Sequence, residues 1–503
     1  MVKSLVMTSY LRRLYRRFLP STPAPPTPAD FRHLYADIFW YGLLAGSAVA
    51  FLSIYAARIG ATSFQIGLLS AGPAVVNLLF SLPAGRWLEG RSTIRLTFLS
   101  SIWHRSAYVA LVLVPVLLPA AAQAWALPLI VVLMSIPGTL LAIGFNAMFA
   151  DVVPPDARAF VVGRRSMLFA VSATITALLS GVILDNVVFP LNYQIVFLIG
   201  VVGAAVSSYH LGRIRGTGRL PARVGRPIGD AARPGTLRAT DAPRAGIGLR
   251  FLTRSRGKPL LRLDLLRGPF GLFLLAYLAF YVAQNVPIPL FPLFWVNTLN
   301  LSDGAISLNS ALFNVTLLVG SSFLARISAR LGHHRVQFVG ALLYGTYPLL
   351  NGLAQGVVLV SLASILGGAI WALTSGGMVN RLMERVPEDD RPAHMALQNL
   401  VLNLGVLGGA LLGPAMSQWI GIREALIVAG VFRFGAAFLL RRWGRDELRR
   451  RAERAARQSG ARAPGARHRR RDRRCRLPLL HDHARGRDQC APRRTQCASS
   501  RCR

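Results

Sequence analysis

Apolar stretches recur along the chain, separated by short polar or basic segments, and most are close to the roughly 20 residues that a helix needs to cross a membrane. On that rule the pattern predicts twelve spans, arranged as six before and six after a basic segment. The predicted spans are 36–56, 66–86, 96–118, 125–149, 166–185, 192–212, 270–295, 305–326, 336–354, 358–380, 395–417 and 421–441. The expected fold class is therefore an all-α integral membrane protein with twelve transmembrane helices.

One short loop occurs twice at equivalent places in this pattern. Val153-Pro154-Pro155-Asp156-Ala157-Arg158 follows the fourth span, and Val386-Pro387-Glu388-Asp389-Asp390-Arg391 follows the tenth, so both copies fit V-P-x-D-x-R. Internal self-similarity indicates a chain built from repeated units. We therefore expect two pseudo-symmetric six-helix bundles with flanking segments. The expected divisions are a basic, Pro-rich leader at 1–35, bundles at 36–212 and 269–442, a basic linker at 213–268 and an Arg-rich disordered tail at 443–503.

The composition supports a membrane protein and indicates how it is oriented. Hydrophobic residues make up 53% of the chain and charged residues only 16%, against roughly 25% charged residues in soluble domains. The formal net charge of +37 is concentrated in the leader, linker and tail. Basic segments favour the cytoplasmic side and an anionic lipid leaflet, so both termini are expected in the cytoplasm and nucleic acid is not an expected partner. The expected location is a bacterial-type inner (plasma) membrane, and a monomer is expected.

The sequence provides little for enzymatic or metal chemistry. No Gly-rich segment follows a strand or carries the lysine and serine of a phosphate-binding loop. The four cysteines, Cys475, Cys490, Cys497 and Cys502, lack the paired spacing of a zinc site. We predict no catalytic residues, no metal and no cofactor.

Together, the six-plus-six pattern, the long linker and the paired loops resemble the major facilitator superfamily, over about residues 33–442. Gly85 to Arg91 resembles the family's motif between helices two and three, with Glu89 in place of an aspartate. The resemblance implies two parallel repeats that rock around a solute site near the membrane midplane. It also implies secondary transport of a small solute.

Such a transporter needs cytoplasmic contacts that form and break as it rocks, and acid–base pairs at helix ends suit this role. The candidate gate residues are Glu89, Arg91, Asp156, Arg158, Asp389 and Arg391. Asp156 and Asp389 have an alternative role, because an aspartate in this position can simply cap the following helix.

Uncharged polar groups inside the spans are the candidates for binding a solute, because polar groups in a membrane usually face a cavity. Gln284 and Asn285 precede Pro287 in the seventh span, where a proline removes backbone donors and bends the helix. The alternative is that they form hydrogen bonds between helices. Further candidates are Asn146, Asn380, Tyr41 and Asn314.

Ionisable groups inside the predicted spans are few. Asp37 is a candidate protonation site, or alternatively an interfacial carboxylate near Arg32 and His33. Arg105 and Arg433 fall on helices that the resemblance places away from the central cavity, which favours packing roles over solute binding.

The shortage of buried charge favours a neutral or apolar solute, including a drug-like efflux substrate. The alternative function is a non-transporting membrane sensor or assembly protein on a transporter scaffold.

Overall fold

The computed structural model describes residues 31–88, 92–154, 157–214, 262–387 and 390–443. Within these ranges the chain forms twelve helical segments that match the predicted spans one for one, which confirms the all-α, twelve-helix fold class. The segments are α1 (Phe31–Arg58), α2 (Ser63–Leu88), α3 (Thr93–Leu117), α4 (Ala120–Val152), α5 (Arg158–Asn186), α6 (Leu191–Gly212), α7 (Pro269–Thr298), α8 (Asp303–Leu331), α9 (His333–Tyr344 and Thr346–Leu353), α10 (Val357–Arg385), α11 (Arg391–Ile420) and α12 (Ile422–Trp443). Most of the predicted leader, linker and tail lies outside the described residues.

Ten of these segments are long and apolar enough to cross a membrane. The other two are α9 and α12. The pieces of α9 are short because the helix is divided at Gly345, and α12 carries Arg423, Arg433, Arg441 and Arg442.

The seventh helix is interrupted where its prolines predict. Its first segment, Pro269–Asn285, is followed by a turn, a short helix at Leu290–Leu293 and a π-helical turn at Phe294–Thr298. Pro287 and Pro289 have no N–H to continue the helical ladder, so the regular hydrogen bonding stops there. The interruption leaves backbone carbonyls near Gln284 that need other donors.

Helix packing repeats between the two halves. In the first half α1 packs on α5 and α6, α2 packs on α4, and α3 packs on α4 and α6. In the second half α7 packs on α11 and α12, α8 packs on α10, and α9 packs on α10 and α12. The halves meet mainly where α2 packs on α11 and α5 packs on α8. Glycines allow close approach at these contacts. A Cβ at Gly67 would lie 2.5 Å from the Ala410 carbonyl of α11, and one at Gly181 would lie 2.5 Å from the Ser307 Cβ of α8.

Candidate functional site

A group of polar side chains joins the two halves where α1 ends and α8 begins. Arg58 and Asp303 form an ion pair, with 3.0 Å between Nη2 and Oδ1. The same Nη2 donates to the Leu301 carbonyl at 2.6 Å, and the Tyr193 hydroxyl donates to the other Asp303 oxygen at 2.8 Å. Asp303 is buried, while Arg58 is partly exposed. One carboxylate of the second half is therefore held by two helices of the first.

Asp185, at the end of α5, binds the start of α8 directly. Its Oδ1 accepts from the Gly304 backbone N–H at 2.9 Å, and its Oδ2 accepts from the Ser302 hydroxyl at 3.0 Å. A carboxylate near the positive end of a helix dipole is favourable, because the first N–H groups have no partner within the helix. We call Arg58, Asp185, Tyr193 and Asp303 the inter-half latch.

The other inter-half contact, between α2 and α11, has a polar pair at the same end of the molecule. The Ser63 hydroxyl, at the start of α2, lies 3.2 Å from the Ser417 hydroxyl near the end of α11. The latch and the Ser63–Ser417 pair therefore close this end from both sides.

Sequence analysis did not identify the latch. The sequence contains one local signal of this region, because Ser302 and Asp303 are residue types that often begin a helix. In the structure the Ser302 hydroxyl accepts from the Ala305 N–H at 3.2 Å. The partner on α1 is not recognisable from any spacing in the sequence.

Inside the first half, Asp37 is buried between two arginines. Its oxygens lie 3.3 Å from Arg165 Nη2 and 3.6 Å from Arg105 Nη2, and the Ser207 hydroxyl donates to Oδ1 at 2.5 Å. Arg165 also donates to the Leu34 carbonyl, and Arg105 donates to the Ser208 hydroxyl at 2.9 Å. The network joins α1, α3, α5 and α6 around the Asp37 carboxylate.

In the corresponding place, the second half has hydrogen bonds between glutamine and tyrosine side chains. Gln337 of α9 donates to the Tyr277 hydroxyl of α7, and Gln398 of α11 donates to the Tyr281 hydroxyl, each at 2.9 Å. Arg165 and Gln398 occupy the same position relative to the two V-P-x-D-x-R loops. In the first half the third and fifth helices bind the same side chain of the first helix, whereas in the second half they bind two different ones.

The predicted solute-binding residues lie in different surroundings. Gln284 is partly exposed at the break in α7, whereas Asn285 is buried and donates to the Tyr281 carbonyl of its own helix at 2.8 Å. Asn285 also packs on α11, because a Cβ at Gly409 would lie 2.6 Å from the Asn285 Cβ. This contact agrees with the alternative that Asn285 belongs to the helix interface.

The remaining candidates lie on α1, α4, α8 and α10. Tyr41 stacks on Phe169, with 5.9 Å between ring centroids, and its own centroid lies 5.8 Å from the Arg105 guanidinium carbon. Asn146 and Asn380 are half-buried, and the exposed Asn314 donates to the Ser310 carbonyl at 2.9 Å.

Of the predicted gate residues, the structure describes the side chain of Arg158. It donates to the Ala150 carbonyl at 2.8 Å and to the Val153 carbonyl at 3.1 Å, so it binds backbone oxygens around the C-terminal end of α4. Glu89, Arg91, Asp156 and Asp389 lie outside the described residues, as does the side chain of Arg391.

Near the second loop, the end of the linker is tied to α11. Arg262 donates to Asp390 at 2.8 Å and to Asp264 at 2.6 Å. The hydrogen bonds from Arg262 lower the pKa of Asp264 from its usual value. Across the described ranges, no group of three or more His, Cys, Asp or Glu residues is placed to hold a metal ion.

The sequence and the structure were compared with known proteins. A family model described as Major Facilitator Superfamily matches residues 38–270 and 273–481. The multi-drug resistance efflux pump PmrA homolog of Lactococcus lactis subsp. lactis (strain IL1403) is 26% identical over 169 residues, which is 32% of this chain and 41% of that relative. This match therefore spans less than half of the curated relative.

Among solved structures, a bacterial homologue of the iron transporter ferroportin in an inward-facing state superposes with a TM-score of 0.61 at 14% identity, covering 83% of this chain and 98% of the other. A D-xylose–proton symporter gives a TM-score of 0.60 at 14% identity, with 82% and 96% covered. The nucleoside transporter NupG gives 0.55 at 12% identity, with 84% and 100% covered. At these identities the likeness shows the fold.

Proposed function

Because the chain belongs to the major facilitator superfamily, we propose that it is a secondary active transporter that moves a small solute by alternating access. The observation that carries the proposal is the arrangement of the inter-half contacts. Two halves with repeated packing meet through α2–α11 and α5–α8, and the latch and the Ser63–Ser417 pair close one end. Polar contacts of this kind can break and re-form as the halves rock.

The proposed orientation places both termini in the cytoplasm of a bacterial-type cell, with the protein in the inner membrane as a monomer. The positive charge of the leader, linker and tail supports this orientation. The latch then lies on the outer side, so the structure has its outer end closed.

The proposed solute is uncharged or apolar, and outward movement of drug-like molecules is the proposed direction. The matched stretch of the multi-drug resistance efflux pump homolog supports this direction. The charged groups within the helices already have partners in the protein, which favours an uncharged solute. Asp37 is ion-paired, and Arg433 of α12 donates to backbone carbonyls.

We place the solute contacts at Gln284 first, then at Tyr41, Asn146, Asn285, Asn314 and Asn380. The proposal is tested by melting the purified protein with sugars, nucleosides, amino acids and amphipathic drugs. A solute that binds the folded state raises the melting temperature by mass action. The shift is expected to disappear in Gln284→Ala and to persist in Asn186→Ala, which changes an exposed amide outside the candidate set. A shift that survives Gln284→Ala would contradict the proposed site.

Alternating access is tested by locking the closed end. Residues 31–443 contain no cysteine, so Ser63→Cys and Ser417→Cys can be combined after the four tail cysteines are changed to serine. The hydroxyl groups are 3.2 Å apart, and a disulfide is compatible with that approach. In proteoliposomes, oxidation should stop movement of the solute found above across the membrane, and dithiothreitol should restore it.

The control for the cross-link is Ser63→Cys alone, which should transport normally under oxidant. Complete cross-linking with undiminished transport would refute alternating access. A non-transporting sensor, the alternative function, would cross-link equally well and show no flux of any solute that shifts the melting temperature.

A further inference from the structure

Arg433 is the largest side chain that is almost completely buried in the described structure, with 1% of its surface exposed. It lies midway along α12, within the helices of the second half. Among the described residues, no carboxylate lies within ion-pair distance of its guanidinium. A buried charge without a charged partner requires another source of stabilisation.

That stabilisation comes from three backbone carbonyls. Arg433 Nη2 donates to the Gln284 carbonyl at 2.8 Å, Nε donates to the Ala283 carbonyl at 3.3 Å, and Nη1 donates to the Tyr344 carbonyl at 3.3 Å. The guanidinium carbon also lies 4.5 Å from the centroid of the Tyr344 ring, a cation–π distance.

Prolines explain why these carbonyls need a donor. In a regular helix each carbonyl accepts from the N–H four residues further on. For Ala283 that residue is Pro287, and for Tyr344 it is Pro348, and neither has an N–H. For Gln284 the residue is Ile288, whose N–H is directed to the Asn285 carbonyl at 3.3 Å instead.

Two helix segments end at this guanidinium: Pro269–Asn285 of α7 and His333–Tyr344 of α9. Each C-terminal end carries roughly half a negative charge from the helix dipole, so two ends together can balance one arginine. Close packing of α9 on α12 allows this approach, because a Cβ at Gly430 would lie 3.0 Å from the Gly345 carbonyl.

We infer that Arg433 is a positioning residue: it replaces the backbone donors that Pro287 and Pro348 remove, and so sets the geometry of the break in α7 that presents Gln284. Because the carbonyl of Gln284 is held from α12, the direction of its side chain depends on Arg433. The claim that this geometry serves a solute rests on the proposed function. The claim that Arg433 sets the geometry of the break is independent of that function.

The inference predicts that restoring a backbone donor compensates for loss of the arginine. Arg433→Met keeps an extended apolar side chain but removes all three donors, and it should lower the melting temperature by about 5 °C or more. Adding Pro348→Ala returns an N–H to the Tyr344 carbonyl, and adding Pro287→Ala returns one to the Ala283 carbonyl. Each alanine substitution should recover part of the lost melting temperature in the Arg433→Met background. Neither should raise the melting temperature of the parent protein in this way.

The conformation of the break in α7 can be measured without a solute. In the full-length chain with the four tail cysteines changed to serine, Gln284→Cys reports on the break through its rate of reaction with N-ethylmaleimide in membranes. Arg433→Met should change that rate by about threefold or more, because the break is no longer held in one conformation. Pro287→Ala should move the rate back toward the parent value.

The matched control is Arg423→Met, on the same helix. Arg423 also donates to backbone carbonyls, those of Gly352 and Ala354 at 2.9 Å each, at the far end of α9. It should lower stability and leave the labelling rate of the Gln284→Cys thiol unchanged. If Arg433→Met does not accumulate, Arg433→Lys replaces it in the same cycle, since one ammonium group cannot span three carbonyls.

The inference is overturned if neither alanine substitution recovers any melting temperature, or if Arg423→Met alters labelling of the Gln284→Cys thiol as much as Arg433→Met does. If that thiol is unreactive in every background, the melting temperatures alone decide between the outcomes. Neither readout requires transport, so a failure here is distinguishable from a failure of the proposed function.

Discussion

Changing Asp37 to asparagine tests whether the buried network of the first half is an ion network. The substitution keeps the size of the side chain and removes the carboxylate that Arg105 and Arg165 both contact in the buried part of the first half. Removing one partner of a buried ion pair costs about 3–5 kcal/mol, because the remaining charge is uncompensated. For a folded region of about 400 residues, a loss of about 4 kcal/mol lowers the melting temperature by about 5 °C.

The assay is thermal unfolding of the purified full-length protein in detergent, followed by intrinsic fluorescence. The informative comparison is the double variant Asp37→Asn/Arg165→Met. It also removes one of the two guanidinium groups that contacted the carboxylate, so it should be more stable than Asp37→Asn although it carries a further substitution. Replacing a buried ion pair by groups of similar volume is often nearly neutral, whereas breaking it from one side is not.

The opposite result would have a definite meaning. If Asp37→Asn melts at the parent temperature and the double variant is less stable, then Asp37 is already neutral in the folded protein. Asparagine is a close mimic of a protonated carboxylic acid, so that outcome would refute the ion network. It would favour the prediction that Asp37 is a protonation site.

The closed end provides further tests, each measured as the yield of the cross-link between Ser63→Cys and Ser417→Cys at a fixed time. Gly181→Leu should reduce the yield, because even a Cβ at this position would lie 2.5 Å from the Ser307 Cβ. The control is Gly163→Leu on the same helix, which should leave the yield unchanged because a Cβ there would have no atom within 4 Å. Asp303→Asn should reduce the yield about fivefold, since a partly exposed ion pair contributes about 1 kcal/mol. An unchanged yield in Gly181→Leu or Asp303→Asn would show that the corresponding contact does not hold the halves together.

Much of the fold could be predicted from sequence because its cause is local. A run of apolar residues determines each span whatever its neighbours are, and the V-P-x-D-x-R loops mark equivalent points of the repeat. The break in α7 was likewise expected from its prolines. The break in α9 was not: 336–354 was expected as one span, and Gly345 and Pro348 divide it.

The candidate site was less predictable because its contacts depend on which face of each helix meets which neighbour. Asp303 lies far from Arg58 in sequence, and no periodicity joins them. Asp37 was recognisable as an intramembrane acid, but its partners come from three other helices. Asn285 looked as suitable for a solute as Gln284, and the two are distinguished by the burial of Asn285 and its packing on Gly409.

The charges of the two halves lead to a last prediction about the solute. Three guanidinium groups, those of Arg105, Arg165 and Arg433, are buried within the helices, and the carboxylate of Asp37 lies between the first two. Like charges in a medium of low dielectric repel over several ångströms, and salt screens them poorly there.

We therefore expect a cationic amphiphile to bind more weakly than a neutral one of the same size. The test compares ethidium with a neutral polycyclic drug of similar area. The measurement is the shift in melting temperature that each causes at equal concentration. A larger shift with the neutral compound is the expected result. A larger shift with ethidium, lost in Gln284→Ala, would show that carbonyl dipoles at the break in α7 outweigh the arginines. The substrate class would then have to be sought among cations.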